Sequence, residues 1–249
     1  MYEGKTVSVV FATYREKKSI KKIINDFFAT DFIDEVIVVN NNAETGTDEE
    51  VKKTKAKLFH ETRQGYGYAF QKAITSANCD YVLVCEPDGT FRASDIERFL
   101  VYAREFDVVI GTRTSQIGAL SGSSMGVFRK FANVIEAKTI EVLFNSVALT
   151  DVGCAYKLFK RSALKKIVPL WRNQKTALFN TELTLLTVAL GIKFVEIPIT
   201  YAPRVGRSQI VGKWQQVVKW AFIIQLYIFF FWLDSKINSR KFESHKYKH

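Results

Sequence analysis

Glu86 and Asp88 set two carboxylates two residues apart, directly after the apolar run Tyr81-Val82-Leu83-Val84-Cys85. The run predicts a buried strand, and Asp88-Gly89 predicts the turn that ends it. If the extended geometry continues through Glu86, positions i and i+2 face one side and both carboxylates project from the strand terminus. Pro87 favours this, because it fixes its own φ and disfavours a helical Glu86. Two hard oxygen ligands at such an edge suit Mg2+ or Mn2+, and a cation held there bridges the phosphates of a nucleotide. The segment also fits a plainer role at a helix start, since Ser94 and Glu97 have the spacing of a capping box.

Two further polar clusters stand at similar positions. Asn40-Asn41-Asn42 follows the apolar run that ends at Val39, and amide side chains offer donor and acceptor together for a base edge or a ribose; they are equally common in turns. Arg63-Gln64-Gly65-Tyr66-Gly67 opens a helical stretch, where free backbone N–H groups and a guanidinium suit phosphate. Phe70 stands where a dinucleotide fingerprint needs glycine, and the chain has no GxxxxGK[ST], so a Rossmann dehydrogenase and a P-loop enzyme are disfavoured.

The elements that must position these residues alternate regularly. Strands are predicted at Val7–Phe11, Glu35–Asn40, Lys57–Phe59, Tyr81–Cys85 and Val108–Gly111, with helices at Lys17–Phe28, Asp48–Lys55, Tyr66–Ala77 and Asp95–Glu105. Such βα alternation implies a parallel sheet with right-handed crossovers. The second half is less regular: Ser121–Asn145 and Asn180–Leu190 read as helical, Cys154–Lys160 and Phe194–Tyr201 as extended. We expect one α/β domain over residues 1–211, an apolar segment over 212–235 and a basic tail over 236–249.

The 249 residues carry a net charge of +11, and 47% are hydrophobic, which excludes a disordered chain. From Pro203 onward nine Lys or Arg face two acids. Without a recognised nucleic-acid motif, this basic end points to a membrane or an acidic substrate rather than to nucleic acid. Between the charges, Trp220–Leu233 is almost wholly apolar. As a helix it is about 21 Å long, short of the roughly 30 Å of a bilayer core, and its bordering Trp and Tyr suit an interfacial segment. A core helix or the seam of a homodimer is the competing reading. Three cysteines without CxxC spacing predict neither zinc nor disulfides, and Val7–Phe11 is too short for a signal-peptide core. A cytoplasmic protein, peripheral or monotopic at the membrane's cytosolic face, is expected.

The order of the motifs carries a resemblance. Ala12-Thr13-Tyr14-Arg15-Glu16, the Asn triplet, Arg63-Gln64-Gly65-Tyr66-Gly67, Glu86-Pro87-Asp88-Gly89, Gly111-Thr112-Arg113, Asp151-Val152-Gly153-Cys154-Ala155-Tyr156-Lys157, Glu182, Glu196-Ile197-Pro198 and Arg204-Val205-Gly206-Arg207-Ser208 follow one another in the chain. Together they resemble inverting family-two glycosyltransferases, and most of all the polyisoprenyl-phosphate sugar synthases, over roughly residues 5–213. Departures include Ala12 and Arg15 in the first motif, Asn40-Asn41 for the usual Asp-Asp, Glu86 for the first Asp of DxD, and Gln209 where Lys is common.

The resemblance implies a GT-A, Rossmann-like, mostly parallel sheet flanked by helices, with a C-terminal apolar helix. It implies a hexosyltransferase moving a sugar from a nucleotide-sugar donor to a lipid-phosphate acceptor, with Mg2+ or Mn2+ as cofactor. By it, Asp88 is the principal metal ligand with Glu86 in support, also toward the ribose. Tyr14, Glu16 and Asn41 hold the nucleoside, Arg63 helps neutralise the leaving diphosphate, and Arg204, Arg207, Ser208 and Glu182 meet the acceptor. A phosphate acceptor needs little help from a base, since its second pKa is about 6. A sugar hydroxyl, the alternative acceptor on a glycan or glycolipid, needs one, and Asp151 is the candidate for that role or for a structural hydrogen-bond acceptor. A pyrophosphorylase would want a glycine-rich basic loop in place of Thr13-Tyr14-Arg15, and the substituted nucleotide motifs leave a non-catalytic binding module as a third reading.

Overall fold

The computed structural model describes residues 1–114, 126–172, 175–205 and 214–246. Among them, seven strands form one sheet: β1 (Val7–Thr13), β2 (Glu35–Asn40), β3 (Lys57–His60), β4 (Tyr81–Cys85), β5 (Val108–Thr112), β6 (Lys157–Lys160) and β7 (Phe194–Pro198). The order is β3-β2-β1-β4-β6-β5-β7, parallel throughout except for β6, which runs antiparallel between β4 and β5. The chain builds outward from β1 to β3 on one side and returns through β4 to the other, so a switch point lies between β1 and β4.

The central strands are apolar on both faces because each face is covered. Val10, Ile37, Val82 and Val84 join one buried layer, while Val9, Phe11, Val38 and Leu83 join the other. Helices α1 (Lys17–Phe28), α2 (Thr47–Lys52), α3 (Tyr66–Ser76), α4 (Ile96–Tyr102), α5 (Val127–Phe144), α6 (Arg161–Ile167), α7 (Leu178–Ala189), α8 (Trp214–Ile237) and α9 (Ser239–Lys246) surround the sheet. In α1 the spacing of Ile20, Ile23, Ile24 and Phe27 gives one buried stripe, which fixes its face.

Two local expectations fail for identifiable reasons. Ser94 and Glu97 form no capping box: Ala93–Asp95 is a 3-10 turn, and α4 begins without a side-chain cap. Asp95 instead accepts bonds from Thr200 N at 2.6 Å and Thr200 Oγ1 at 2.9 Å, tying this turn to the chain after β7. The C-terminal helix is longer than its apolar run: α8 has 24 residues, about 36 Å, because its polar flanks stay helical. Gln215–Ile237 is therefore long and apolar enough to cross a membrane by length and composition. Ile228 and Phe231 are fully buried against the domain, whereas Val218, Phe222, Leu226, Phe229 and Phe230 are exposed.

Candidate active site

A cavity of about 550 Å³ opens at the carboxyl ends of β1, β2 and β4, lined among others by Tyr14, Arg15, Glu16, Asn41, Gln64, Tyr66, Glu86, Asp88, Lys175, Arg204 and Trp220. This is the sheet edge at the switch point, where open α/β sheets take ligands. A second cavity, about 610 Å³, lies at the far ends of α5 and α7 beside α9, and among the described residues Glu243 is the sole acid in its lining.

The floor is built around the two carboxylates. Asp88 is buried and uses Oδ1 to accept from Thr90 N at 2.9 Å and Thr90 Oγ1 at 2.6 Å, closing the turn after β4. Its Oδ2 lies 2.5 Å from Arg204 Nη2 but out of line for a hydrogen bond, so that contact is ionic. Glu86 Oε1 accepts from Tyr66 Oη at 2.8 Å, and Oε2 sits 3.3 Å from Arg204 Nη2. Asn180 Nδ2 in turn donates to Tyr66 Oη at 2.8 Å, so α7 holds the tyrosine that holds the glutamate. Enclosure, then the charge of Asp88, pushes the Glu86 carboxyl up, and Arg204 and Tyr66 oppose the rise. Among the described residues, Asp88 Oδ2 is thus a buried oxygen without a hydrogen-bond donor, lining a cavity beside a second carboxylate. That donor set fits a hard divalent cation whose remaining ligands come from phosphate and water.

Glycine is required twice nearby. Gly89 has φ +84°, and a Cβ there would meet Val205 Cγ2 at 3.1 Å. A Cβ on Gly65 would come within 2.7 Å of the Lys175 carbonyl oxygen. Both allow a distant stretch of chain to approach closely.

Several residues take different positions from those the sequence suggested. Glu16 lines the cavity, and its Oε2 accepts from Tyr14 N at 2.7 Å and Arg15 N at 2.8 Å, fixing the turn after β1. Asn41 lines it too, but its amide is engaged internally: Nδ2 donates to the Glu61 and Arg63 carbonyls, and Oδ1 accepts from Gly65 N. It shapes the floor rather than presenting a free amide to a nucleoside. Arg63 is turned away from the lining, paired with Glu61 through Nε at 3.0 Å and Nη2 at 2.9 Å and stacked on Tyr68, so its expected contact with a leaving diphosphate has no geometry here. Glu182 is fully buried and accepts from Arg172 N and from Tyr227 Oη, a tie between α7 and α8 away from the cavity. Arg207 and Ser208 lie outside the described residues.

Asp151 is not positioned as a base. Its side chain is fully buried, accepting from Arg113 N at 3.0 Å, Arg113 Nε at 2.8 Å and Arg113 Nη2 at 2.8 Å. Burial pushes its carboxyl up, but the guanidinium outweighs this and holds it below the ordinary carboxylate range. Arg113 stands in one of the motifs that carry the resemblance, without a role assigned to it, and Arg129 in none of them. Burial, the charge of Arg113 and, to a smaller extent, that of Arg204 lower the pKa of Arg129. Spacing alone gave no signal of this, because the three come from β5's end, α5 and the segment after β7.

Glu136 on α5 belongs to the same buried cluster. Burial and then the charge of Asp151 push its carboxyl up to about 8, and Oε2 has no hydrogen-bond partner among the described residues. The folded chain therefore binds more protons than the unfolded one between the ordinary carboxylate pKa and about 8, so stability falls as pH rises through that window. Glu136→Gln is expected to flatten the profile, gaining on the order of a few kcal/mol over the parent above pH 8. Thermal midpoints across pH check this; parallel profiles for the two proteins would contradict it.

Comparison with known proteins agrees with this geometry. The sequence profile of glycosyl transferase family 2 matches residues 8–168. The chain is 25% identical to a dolichyl-phosphate hexose transferase of Haloferax volcanii, over 84% of this chain and 88% of the relative. It is 24% identical to an undecaprenyl-phosphate mannosyltransferase of Micrococcus luteus, over 83% and 88%, and 23% identical to the dolichyl-phosphate beta-glucosyltransferase of Saccharomyces cerevisiae, over 78% and 66%. Among solved structures, glucosyl-3-phosphoglycerate synthase from Mycobacterium tuberculosis in complex with Mn2+, uridine diphosphate and glucosyl-3-phosphoglycerate superposes with a TM-score of 0.67 at 15% identity, over 90% of this chain and 80% of that one. That likeness concerns the fold, the GT-A architecture expected from the motifs. Sheet order, switch-point carboxylates and a profile match over most of the described domain converge on one assignment: the chain belongs to glycosyl transferase family 2.

Proposed function

We propose that the chain transfers a hexose from a nucleotide sugar to a polyprenyl phosphate at the cytosolic face of a membrane, with inversion at the anomeric carbon. The observation that carries this reading is the continuity between the cavity and α8: Trp220 of that helix lines the same cavity as Glu86, Asp88 and Arg204, while Phe222, Phe229 and Phe230 of the same helix are exposed. A soluble acceptor needs no such neighbour; a lipid acceptor has to present its phosphate where an apolar surface begins. The names of the Haloferax, Micrococcus and yeast relatives support the acceptor class. Three free cysteines, two of them buried, support a reducing compartment.

Mechanistically, Asp88 and Glu86 would hold Mg2+ or Mn2+, which when bound neutralises charge developing on the leaving nucleoside diphosphate. Thr90 and Tyr66 keep the two carboxylates oriented. Arg15 and Lys175 on the cavity wall add positive charge for the donor phosphates. On the other side, Arg204 would meet an acceptor phosphate, with the positive charges of Arg113 and Arg129 adding to its field, and the Asp151 pairing fixes the Arg113 guanidinium. A phosphate oxygen ionised near neutral pH attacks without surrendering a proton, so no general base is needed.

The exposed face of α8 gives the test. A Phe222→Ser, Phe229→Ser, Phe230→Ser variant should remain folded, because the seam residues Ile228 and Phe231 are untouched. It should lose flotation with anionic vesicles and turnover on long-chain prenyl phosphate while keeping donor binding. High salt should release the parent only in part, since screening does not weaken apolar burial. A parent that fails to float, and sediments as a dimer that the triple variant breaks, would assign this face to a homodimer instead.

A further inference from the structure

The two oxygens that face the cavity from Asp88 and Glu86 meet the same guanidinium nitrogen. Asp88 Oδ1 is committed to Thr90 and Glu86 Oε1 to Tyr66, which leaves Asp88 Oδ2 and Glu86 Oε2 for a cation, and Arg204 Nη2 lies 2.5 Å from the first and 3.3 Å from the second. The arginine is brought there by backbone pairing. Phe91 bridges Tyr201, Ala202 N donates to Thr90 O at 2.9 Å, and Val205 N donates to Asp88 O at 2.8 Å, so the segment carrying Arg204 runs antiparallel along the turn that carries Asp88. The main chain is tied, while the long side chain is a third exposed and held only by the two carboxylates among the described residues.

We propose that Arg204 is a displaceable counter-ion: a divalent cation entering with the donor takes Asp88 Oδ2 and Glu86 Oε2, and the guanidinium it evicts becomes available to the acceptor phosphate. Two cations compete for one pair of oxygens, because both contacts are to the same atoms and like charges at that distance repel. Loading of the donor side therefore prepares the acceptor side, and the coupling is reciprocal, so phosphate held by Arg204 also favours cation binding. The cation competition stands on the contacts alone; naming the acceptor as a prenyl phosphate rests on the proposed function.

The experiment titrates Mn2+ alone into the full chain, followed by electron paramagnetic resonance of free Mn2+, for the parent, Arg204→Gln and Arg204→Lys. If the guanidinium-bound form outweighs the open form about tenfold, removing it tightens Mn2+ binding about tenfold, with Arg204→Lys between the two. A short-chain prenyl phosphate is then titrated with and without saturating Mn2+. The parent should bind it more tightly with the cation present, and Arg204→Gln should show no such difference. Equal or weaker Mn2+ binding by Arg204→Gln overturns the proposal, as does a Mn2+ gain without any cation-dependent change in the parent's prenyl-phosphate affinity. Failure of the acceptor reading looks different: the parent then binds no prenyl phosphate in either buffer, while the Mn2+ gain in Arg204→Gln persists.

Discussion

Asp88→Ala is expected to lower kcat/KM by about 100- to 1,000-fold and to abolish any dependence of donor binding on Mg2+ or Mn2+. Among the described residues, Asp88 contributes the one buried carboxylate oxygen in the cavity without a hydrogen-bond donor, and its partner Glu86 is already held by Tyr66. The alanine variant also loses the bonds to Thr90 N and Oγ1 and so loosens the turn. Asp88→Asn separates the two effects. It keeps an oxygen for Thr90 but removes the charge, and should lose nearly as much activity as Asp88→Ala with less loss of stability. Calorimetry of donor binding in Mn2+ and in EDTA reads the first effect, thermal melting the second. Glu86→Ala should be milder, because Glu86 is less buried and its carboxyl is shifted toward the neutral form. Tight donor binding that is equal in Mn2+ and EDTA for the parent would remove the metal from the account.

Asp151→Asn should act on folding far more than on chemistry. Both carboxylate oxygens accept from Arg113, whose side chain is itself only 14% exposed, and the Asp151 backbone N–H donates to Glu196 Oε1 at 2.8 Å. Neutralising one member leaves the other as a buried, uncompensated charge, which costs about 3–5 kcal/mol. The sign of the pH dependence follows: the folded pKa of Asp151 lies below the unfolded value, so this stabilisation is present above the ordinary carboxylate range and is lost on acidification through the folded pKa. Turnover per folded molecule should stay within about tenfold, whereas removing a general base typically costs about 100- to 10,000-fold. Urea titration and turnover normalised to the folded fraction distinguish the cases. A collapse of turnover with unchanged stability would make Asp151 a base and favour a hydroxyl acceptor.

The parts of the fold that were legible in the sequence are those set by local patterning. The boundaries of β2 and β4 and of α1 coincide with their apolar runs because each is buried along its whole length or along one clean stripe. Helix α6 escaped notice: Arg161–Ile167 is only seven residues, and its three buried positions, Ala163, Leu164 and Ile167, are too few to set a period. The antiparallel entry of β6 was equally hidden, since a strand's direction depends on the path of its connections and not on its own residues. At the site, Tyr14, Glu16, Glu86, Asp88 and Arg204, named from the resemblance and from the strand-end carboxylates, line one cavity because strand ends and their loops converge at a switch point. What the sequence did not show were partners far away in the chain. Nothing local to Glu182 announces Tyr227, 45 residues later, and nothing local to Asn41 announces that Gly65 will take its oxygen. The same holds for Asp151, whose partner Arg113 is 38 residues distant. Hydropathy likewise located the apolar centre of α8 but not its two faces, because Ile228 and Phe231 differ from Phe229 and Phe230 only in what packs against them.

The acceptor class is the central claim, and phosphorus NMR of the product tests it most directly. The parent enzyme, supplied with a nucleotide sugar labelled with carbon-13 at the anomeric position, Mn2+ and a prenyl phosphate in vesicles, should convert the acceptor's monoester resonance into a phosphodiester whose phosphorus couples to the labelled anomeric carbon, with the anomeric configuration opposite to that of the donor. A prenyl phosphate that remains a monoester while the labelled sugar appears on a hydroxyl of a glycan or glycolipid would contradict the account.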